Sequence, residues 1–195
     1  MRTLQRKEQV ILGIDPGTTV MGYGVIKTVG NKATLLTMGV IDFKDCDTHY
    51  DKLNKIFTRV TEVINEFDPE ILSIEAPFFG KNVQSMLKLG RAQGICIAAA
   101  FSRSIPFVEY SPRKVKQSIT GNGAASKEQV ANMLQRIFKL EAIPSYLDAT
   151  DALAVAVCHS YQKEDLLVSN SSVKKTSSKK SSWASFVSQN PDRIK

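Results

Sequence analysis

The sequence predicts an α/β fold: a mixed five-stranded sheet with helices on both faces. Three observations predict it. The Val-, Ile- and Leu-rich runs 10–15, 20–27 and 33–41 follow one another through short glycine-punctuated turns, the pattern of an antiparallel meander. Two later apolar runs, 71–76 and 106–110, are each preceded by a helical stretch, and a strand reached through a helix lies parallel to the strand it joins. The chain after residue 110 reads as helices, giving the order β-β-β-α-β-α-β-α-α-α.

Each element has its own signal. Residues 50–67 place Leu53, Ile56, Phe57, Val60, Val63, Ile64 and Phe67 at helical spacing, which makes an amphipathic helix. Asp68-Pro69 stops it. Residues 83–103 form a second helical stretch. Ser111-Pro112 opens a short helix that ends near Gly121. Ser126 with Gln129 fits a capping box for the next helix. Ser145 opens the last, which runs to about Gln162. Three segments are expected: a flexible extension over 1–9, one folded domain over 10–165, and a disordered Ser/Lys-rich tail over 166–195.

Composition narrows the class. The chain has 195 residues, 43% hydrophobic and 23% charged, enough for one domain with a real core. No apolar run is long enough to cross a membrane, and the N-terminus lacks the apolar centre of a signal peptide. A cytoplasmic protein is expected. Cys46, Cys96 and Cys158 are read as reduced thiols, the latter two in the core, and His49 and His159 alone do not suit a zinc site. The net charge is +7, but from Val168 onward six Lys/Arg face one Asp. Basicity therefore belongs mostly to the tail, as a solvating segment or a weak DNA tether.

The chemistry lies in four acids. Asp15 ends the first strand and is followed at once by the Pro-Gly turn of DPGTT; Glu75 ends the fourth. If those strands are parallel neighbours, both carboxylates emerge at one edge, where open α/β sheets place their sites. Asp148 and Asp151 are three apart and share one face of the last helix. Four converging carboxylates raise one another's pKa values, and a divalent cation with oxygen ligands, Mg²⁺ or Mn²⁺, relieves that cost. Two such ions would activate water and stabilise the leaving oxygen of a phosphodiester. Singly, each acid also has a structural explanation. Asp-Pro-Gly is a common turn, and acids favour the first turn of a helix. Glu75, in the apolar stretch SIEAPFF, is the hardest to explain that way.

GIDPGTTVMGYGVI, SIEAPFFGKNVQSMLKLGRAQG, SPRKVKQSITGNGAASKEQV and DATDALAVAVCH, in that order over residues 10–162, closely resemble the RuvC family of bacterial Holliday-junction resolvases. The resemblance implies an RNase H-like fold and a homodimeric, Mg²⁺-dependent endonuclease. Such an enzyme nicks two like-polarity strands of a four-way DNA junction symmetrically, leaving 5′-phosphate and 3′-hydroxyl ends. It also implies a partnership with the branch-migration complex of RuvA and RuvB. Residue by residue, Asp15, Glu75, Asp148 and Asp151 match the family's catalytic, metal-holding acids. Phe78 matches an aromatic that stacks on a base near the junction point, and Lys116 and Lys127 match basic residues near the scissile phosphate. The extension and the tail have no counterpart in that pattern.

Around these positions, Lys81, Arg113 and Lys114 add charge suited to phosphate contact, or to a solvated surface. Gly121-Asn122-Gly123 is either a helix terminator or a loop that approaches a phosphate. Phe79 is expected to plug the core. Gly90 and Gly94 either pack on the sheet or open a dimer interface. Three rival functions remain. An actin-like ATP-binding fold would need a second phosphate loop and a second lobe. A non-catalytic junction binder would gain nothing from clustered acids. A nuclease for RNA·DNA hybrids would differ only in substrate.

Overall fold

The structure is a computed structural model and describes residues 8–77 and 82–162. Its elements follow the expected order. Strands β1 (Glu8–Asp15), β2 (Val20–Val29) and β3 (Lys32–Asp42) lead into helix α1 (His49–Phe67). Strand β4 (Ile71–Glu75), helix α2 (Val83–Phe101) and strand β5 (Phe107–Tyr110) follow, and helices α3 (Pro112–Thr120), α4 (Lys127–Phe138) and α5 (Leu147–Ser160) complete the chain. The sheet order is β3-β2-β1-β4-β5. The β1–β2 and β2–β3 pairs are antiparallel, and the β1–β4 and β4–β5 pairs parallel.

Strand alternation divides the core. Leu12 and Ile14 of β1, Met21 and Val25 of β2, and Leu72 and Ile74 of β4 pack with α1 and α2. Ile11, Ile26 and Ile71, of opposite parity, pack with α3, α4 and α5. Because side chains alternate along a strand, Asp15 shares parity with Ile11, and Glu75 with Ile71. Both acids therefore lie on the α5 side.

Helix α5 is the deepest helix, with every residue from Ala149 to His159 buried except Asp151. It lies directly on the backbone of the meander. A Cβ at Gly22 would stand 1.8 Å from the Asp148 carbonyl oxygen, and one at Gly13 would stand 2.3 Å from that of Ala152. Glycine inside a strand marks close backbone approach, and here it seats the acid-bearing helix. Ser73 adds a buried hydrogen bond from its hydroxyl to the Val155 carbonyl, 2.9 Å.

Most of the predicted helix ends are found as expected. Ser111 accepts from the Lys114 N–H with Pro112 at the first position, and Gly121 closes α3 at φ 76°. Ser126 and Gln129 form the capping box of α4. Cys96 and Cys158 are fully buried free thiols, and Cys46 is half-buried.

Two expected helix ends are corrected. Ser145 does not open α5; Tyr146 is the cap residue and makes no side-chain cap, its hydroxyl being engaged with Lys44 instead. Helix α2 ends at Phe101, two residues early, where the Ser102 hydroxyl donates to the Ala99 carbonyl and Ser104 turns to φ 59°. Glu8 and Gln9, expected to precede the folded domain, pair with Val29 and Thr28, and Lys27 forms an ion pair with Glu8. Among the described residues nothing lies within 4 Å of a Cβ built at Gly90 or Gly94, so packing on the sheet does not explain either glycine. The expected tail, with Phe78, Phe79 and Lys81, lies outside the described residues. Among the described residues no helix is long and apolar enough to cross a membrane.

Candidate active site

The β1–β4 register pairs Ile14 with Ile74, so Asp15 and Glu75 leave neighbouring parallel strands side by side at their C-terminal ends. Helix α5 brings Asp148 and Asp151 over them, and α3 and α4 contribute Lys116 and Lys127. All six side chains line one cleft of ≈ 360 Å³. The structure thus gathers all four expected acids and the two lysines expected beside them. Arg113 and Lys114 are exposed and do not line it. The stem of Arg113 packs where a Cβ of Gly123 would stand, 2.6 Å from its Cγ. Together with the positive φ of Gly121, this accounts for that loop as a helix terminator.

A larger cleft, ≈ 590 Å³, lies between the end of β3 and α1. Its cations are already matched, Lys55 with Asp45 and Arg59 with Glu62. It carries no concentrated charge.

The electrostatics of the smaller cleft are unusual. Burial pushes the Asp15 carboxyl well above its ordinary range, reinforced by the charges of Glu75, Asp151 and Asp148 and opposed by Lys127. Burial, then Asp151, pushes Glu75 up to about 7. Burial also raises Asp151, against the pull of Lys127. Burial alone would lower the Lys127 ammonium, but its bond to Asp151 and the field of Asp15 and Asp148 reverse that, leaving it raised. Lys127 contacts Asp151 and stands 4.0 Å from Asp148. It is a fixed internal counter-charge for an anionic centre.

Half-buried oxygen donors that repel one another and draw in the nearest ammonium fit a hard divalent cation. The side chains do not already form a closed cage: among the described residues no three His, Cys, Asp or Glu meet the spacing of an ion site as they stand.

The pKa shifts have a consequence for stability. An acid whose folded pKa lies above its unfolded one binds more protons folded, so stability falls as pH rises between the two values. For Glu75 that window runs from 4.5 to about 7, and Asp15 acts in the same direction. In EDTA the melting temperature is expected to fall between pH 4.5 and about pH 7. Glu75→Gln should flatten that slope and Mg²⁺ should oppose it. Calorimetry across the range checks both.

The family model for crossover junction endodeoxyribonuclease RuvC matches residues 11–159. The chain belongs to the RuvC family. RuvC of Cytophaga hutchinsonii is 54% identical over 188 residues, covering 96% of this chain and 89% of that protein. RuvC of Porphyromonas gingivalis is 52% identical over 191 residues, covering 97% and 98%. The structure of T. thermophilus RuvC in complex with Holliday junction substrate is 37% identical with a TM-score of 0.73, covering 78% of this chain and 93% of that one. The yeast mitochondrial Holliday junction resolvase, 14% identical with a TM-score of 0.58 over 77% of each chain, shares the fold. RuvC membership and the RNase H-like fold are as expected from the sequence, and the actin-like alternative falls.

Three features escaped the sequence. Gly13 and Gly22 seat α5, and a glycine inside a strand could have signalled them. Lys52 donates to the Thr18 carbonyl and Lys44 to the Tyr146 hydroxyl. No local pattern announces either contact.

Proposed function

We propose that this chain resolves four-way (Holliday) DNA junctions in recombination and repair, by metal-dependent, symmetric nicking of two like-polarity strands. The observation that carries it is one cleft, at the C-terminal ends of two parallel strands, joining four carboxylates to two lysines in a chain of the RuvC family. In this proposal Asp15, Glu75, Asp148 and Asp151 hold the metal, Mg²⁺ with Mn²⁺ as a substitute, at two ions per site. The ions would supply Lewis acidity and an activated water. The carboxylates set where those charges sit, and their burial excludes competing solvent. Lys116 and Lys127, lining the same cleft, meet the phosphate and balance charge that develops there. Arg113 and Lys114, with Lys81, contact backbone phosphates further out, and Phe78 stacks on an unpaired base at the junction centre. Clustered acids repel DNA in the absence of metal, which argues against a protein that only binds junctions.

A labelled synthetic junction tests this, incubated with Mg²⁺ or EDTA beside a linear duplex. Paired nicks with 5′-phosphate ends, confined to the junction and needing Mg²⁺, support it; tight binding without nicks across varied core sequences opposes it.

The enzyme is proposed to act as a homodimer, since two symmetric cuts suit a two-fold assembly. Helix α2 offers a surface for a second copy. Val83, Leu87 and Phe101 are exposed at helical spacing, with bare Gly90 and Gly94 between them. Leu87→Glu is expected to convert dimer to monomer in sedimentation and to abolish paired nicking, leaving the fold intact by circular dichroism. We place the protein in the cytoplasm with its DNA, in partnership with the RuvA and RuvB complex.

A further inference from the structure

We propose that the β3–α1 connection, with the first turns of α1, is a brace that sets the spacing between β1 and α5, two of the three elements bearing the acids. Lys52 and Phe43 hold the turn after Asp15, and Lys44 holds the head of α5 through Tyr146. The brace rests on the assignment of Asp15, Asp148 and Asp151 to a metal centre, and its members are positioning residues.

The turn of residues 16–19 joins Asp15 to β2. Among the described residues, no backbone hydrogen bond runs within it. Its carbonyls are instead held from outside. The Phe43 N–H donates to the Thr19 carbonyl at 3.2 Å, and the Lys52 ammonium donates to the Thr18 carbonyl at 3.1 Å. Phe43 is buried, and the Lys52 ammonium lies 5.7 Å from the centre of its ring. Lys52 sits in the first turns of α1, anchored by a capping box between Thr48 and Asp51. A rigid helix end therefore grips a turn that lacks internal bonds.

The residue after Phe43 faces the other way. The Lys44 ammonium bonds the Tyr146 hydroxyl at 3.1 Å and is itself paired with Asp42 at 3.0 Å. Tyr146 is the cap residue of α5, two positions before Asp148, and has no capping bond of its own. One short segment thus touches both elements whose separation decides how the carboxylates face one another. Groups bonded directly to metal ligands change metal affinity or activity by about 10- to 100-fold when removed; the brace holds the backbone that carries the ligands, so the lower end of that range applies.

Lysines this close to the cleft could instead meet DNA phosphates, and the two roles separate cleanly. The variants are Lys52→Met, Lys52→Arg and Tyr146→Phe, the last removing a bond without removing a charge. Three quantities are measured on the full chain: Mn²⁺ affinity without DNA by electron paramagnetic resonance, junction affinity in EDTA across salt concentrations, and single-turnover cutting. The brace predicts that Lys52→Met loses about 10-fold in Mn²⁺ affinity and in cutting, with junction affinity unchanged. Lys52→Arg recovers most of the loss, and Tyr146→Phe moves the same way by less. Unchanged Mn²⁺ affinity overturns the brace. So does weakened junction binding with a salt slope reduced by about one, which would make Lys52 a phosphate contact. Wild type and Asp15→Asn run alongside. If the two bind Mn²⁺ equally, the acid centre fails and the brace with it; if they differ while Lys52→Met matches wild type, the brace alone fails. Melting temperatures of every variant separate these outcomes from unfolding.

Discussion

Asp15→Asn is expected to cut four-way junctions at least about 10³-fold more slowly than wild type, the scale of losing a group that stabilises charge in the transition state, while binding them no more weakly. Burial first, and then the charges of three other carboxylates, raise the pKa of Asp15. An amide there keeps the shape, removes one negative charge and cannot serve as a charged ligand. The lost charge also repels DNA, so junction affinity in EDTA should hold or improve. Stability should move in a direction that an ordinary damaging substitution does not take. Removing one of several buried like charges relieves the metal-free protein, so its melting temperature in EDTA should equal or exceed that of wild type. Gel-shift, single-turnover cleavage and calorimetry on one preparation check the three parts. Slow cutting with a lower melting temperature and weaker binding would indicate misfolding rather than a missing ligand.

Gly22→Ala is expected to lower cutting by about 100-fold, the penalty for misplacing reacting groups by about an ångström, although residue 22 has no side chain and touches no substrate. Its Cβ would stand 1.8 Å from the Asp148 carbonyl oxygen, 2.5 Å from the carbonyl carbon and 3.1 Å from the Ala152 Cβ. Two of these atoms are backbone, so a rotamer change cannot relieve the clash; the start of α5 must lift off β2. Residue 22 pairs directly with Asp15 across the β1–β2 ladder. The substitution therefore separates the two acids of α5 from those of the strands. Overpacking of this kind costs about 1–3 kcal/mol of stability, which the rest of α5, buried to His159, can sustain. Activity should fall much further than stability, and Mn²⁺ affinity should fall with it. Cleavage rates and denaturant midpoints give the comparison.

The fold was legible because its signals are local and repeated. Glycine-punctuated apolar runs mark β1, β2 and β3, helical spacing marks α1, and side-chain caps mark the starts of α3 and α4. The acids were legible because strand ends and an i, i+3 pair are geometric statements in themselves. Once β1 and β4 are parallel neighbours, Asp15 and Glu75 have to meet. The start of α5 was misread because its cap residue is a tyrosine whose hydroxyl bonds a lysine 102 positions away, and a short-range pattern carries nothing of that contact. The pairing of Lys127 with Asp151 is likewise tertiary, since it depends on how α4 packs against α5 over one cleft. The glycines of β1 and β2 read as punctuation in a meander, and their use as a bed for α5 emerges only when the helix is in place.

In the proposed mechanism, acids from β1, β4 and α5 act as one metal centre. Mn²⁺ titrations of the DNA-free protein test it most directly, comparing wild type with Asp15→Asn, Glu75→Gln, Asp148→Asn and Asp151→Asn. The account predicts that each substitution weakens the same binding event by about 10-fold or more, while melting in EDTA shows each variant folded. Unchanged Mn²⁺ affinity in the folded Asp15→Asn and Glu75→Gln variants would contradict it.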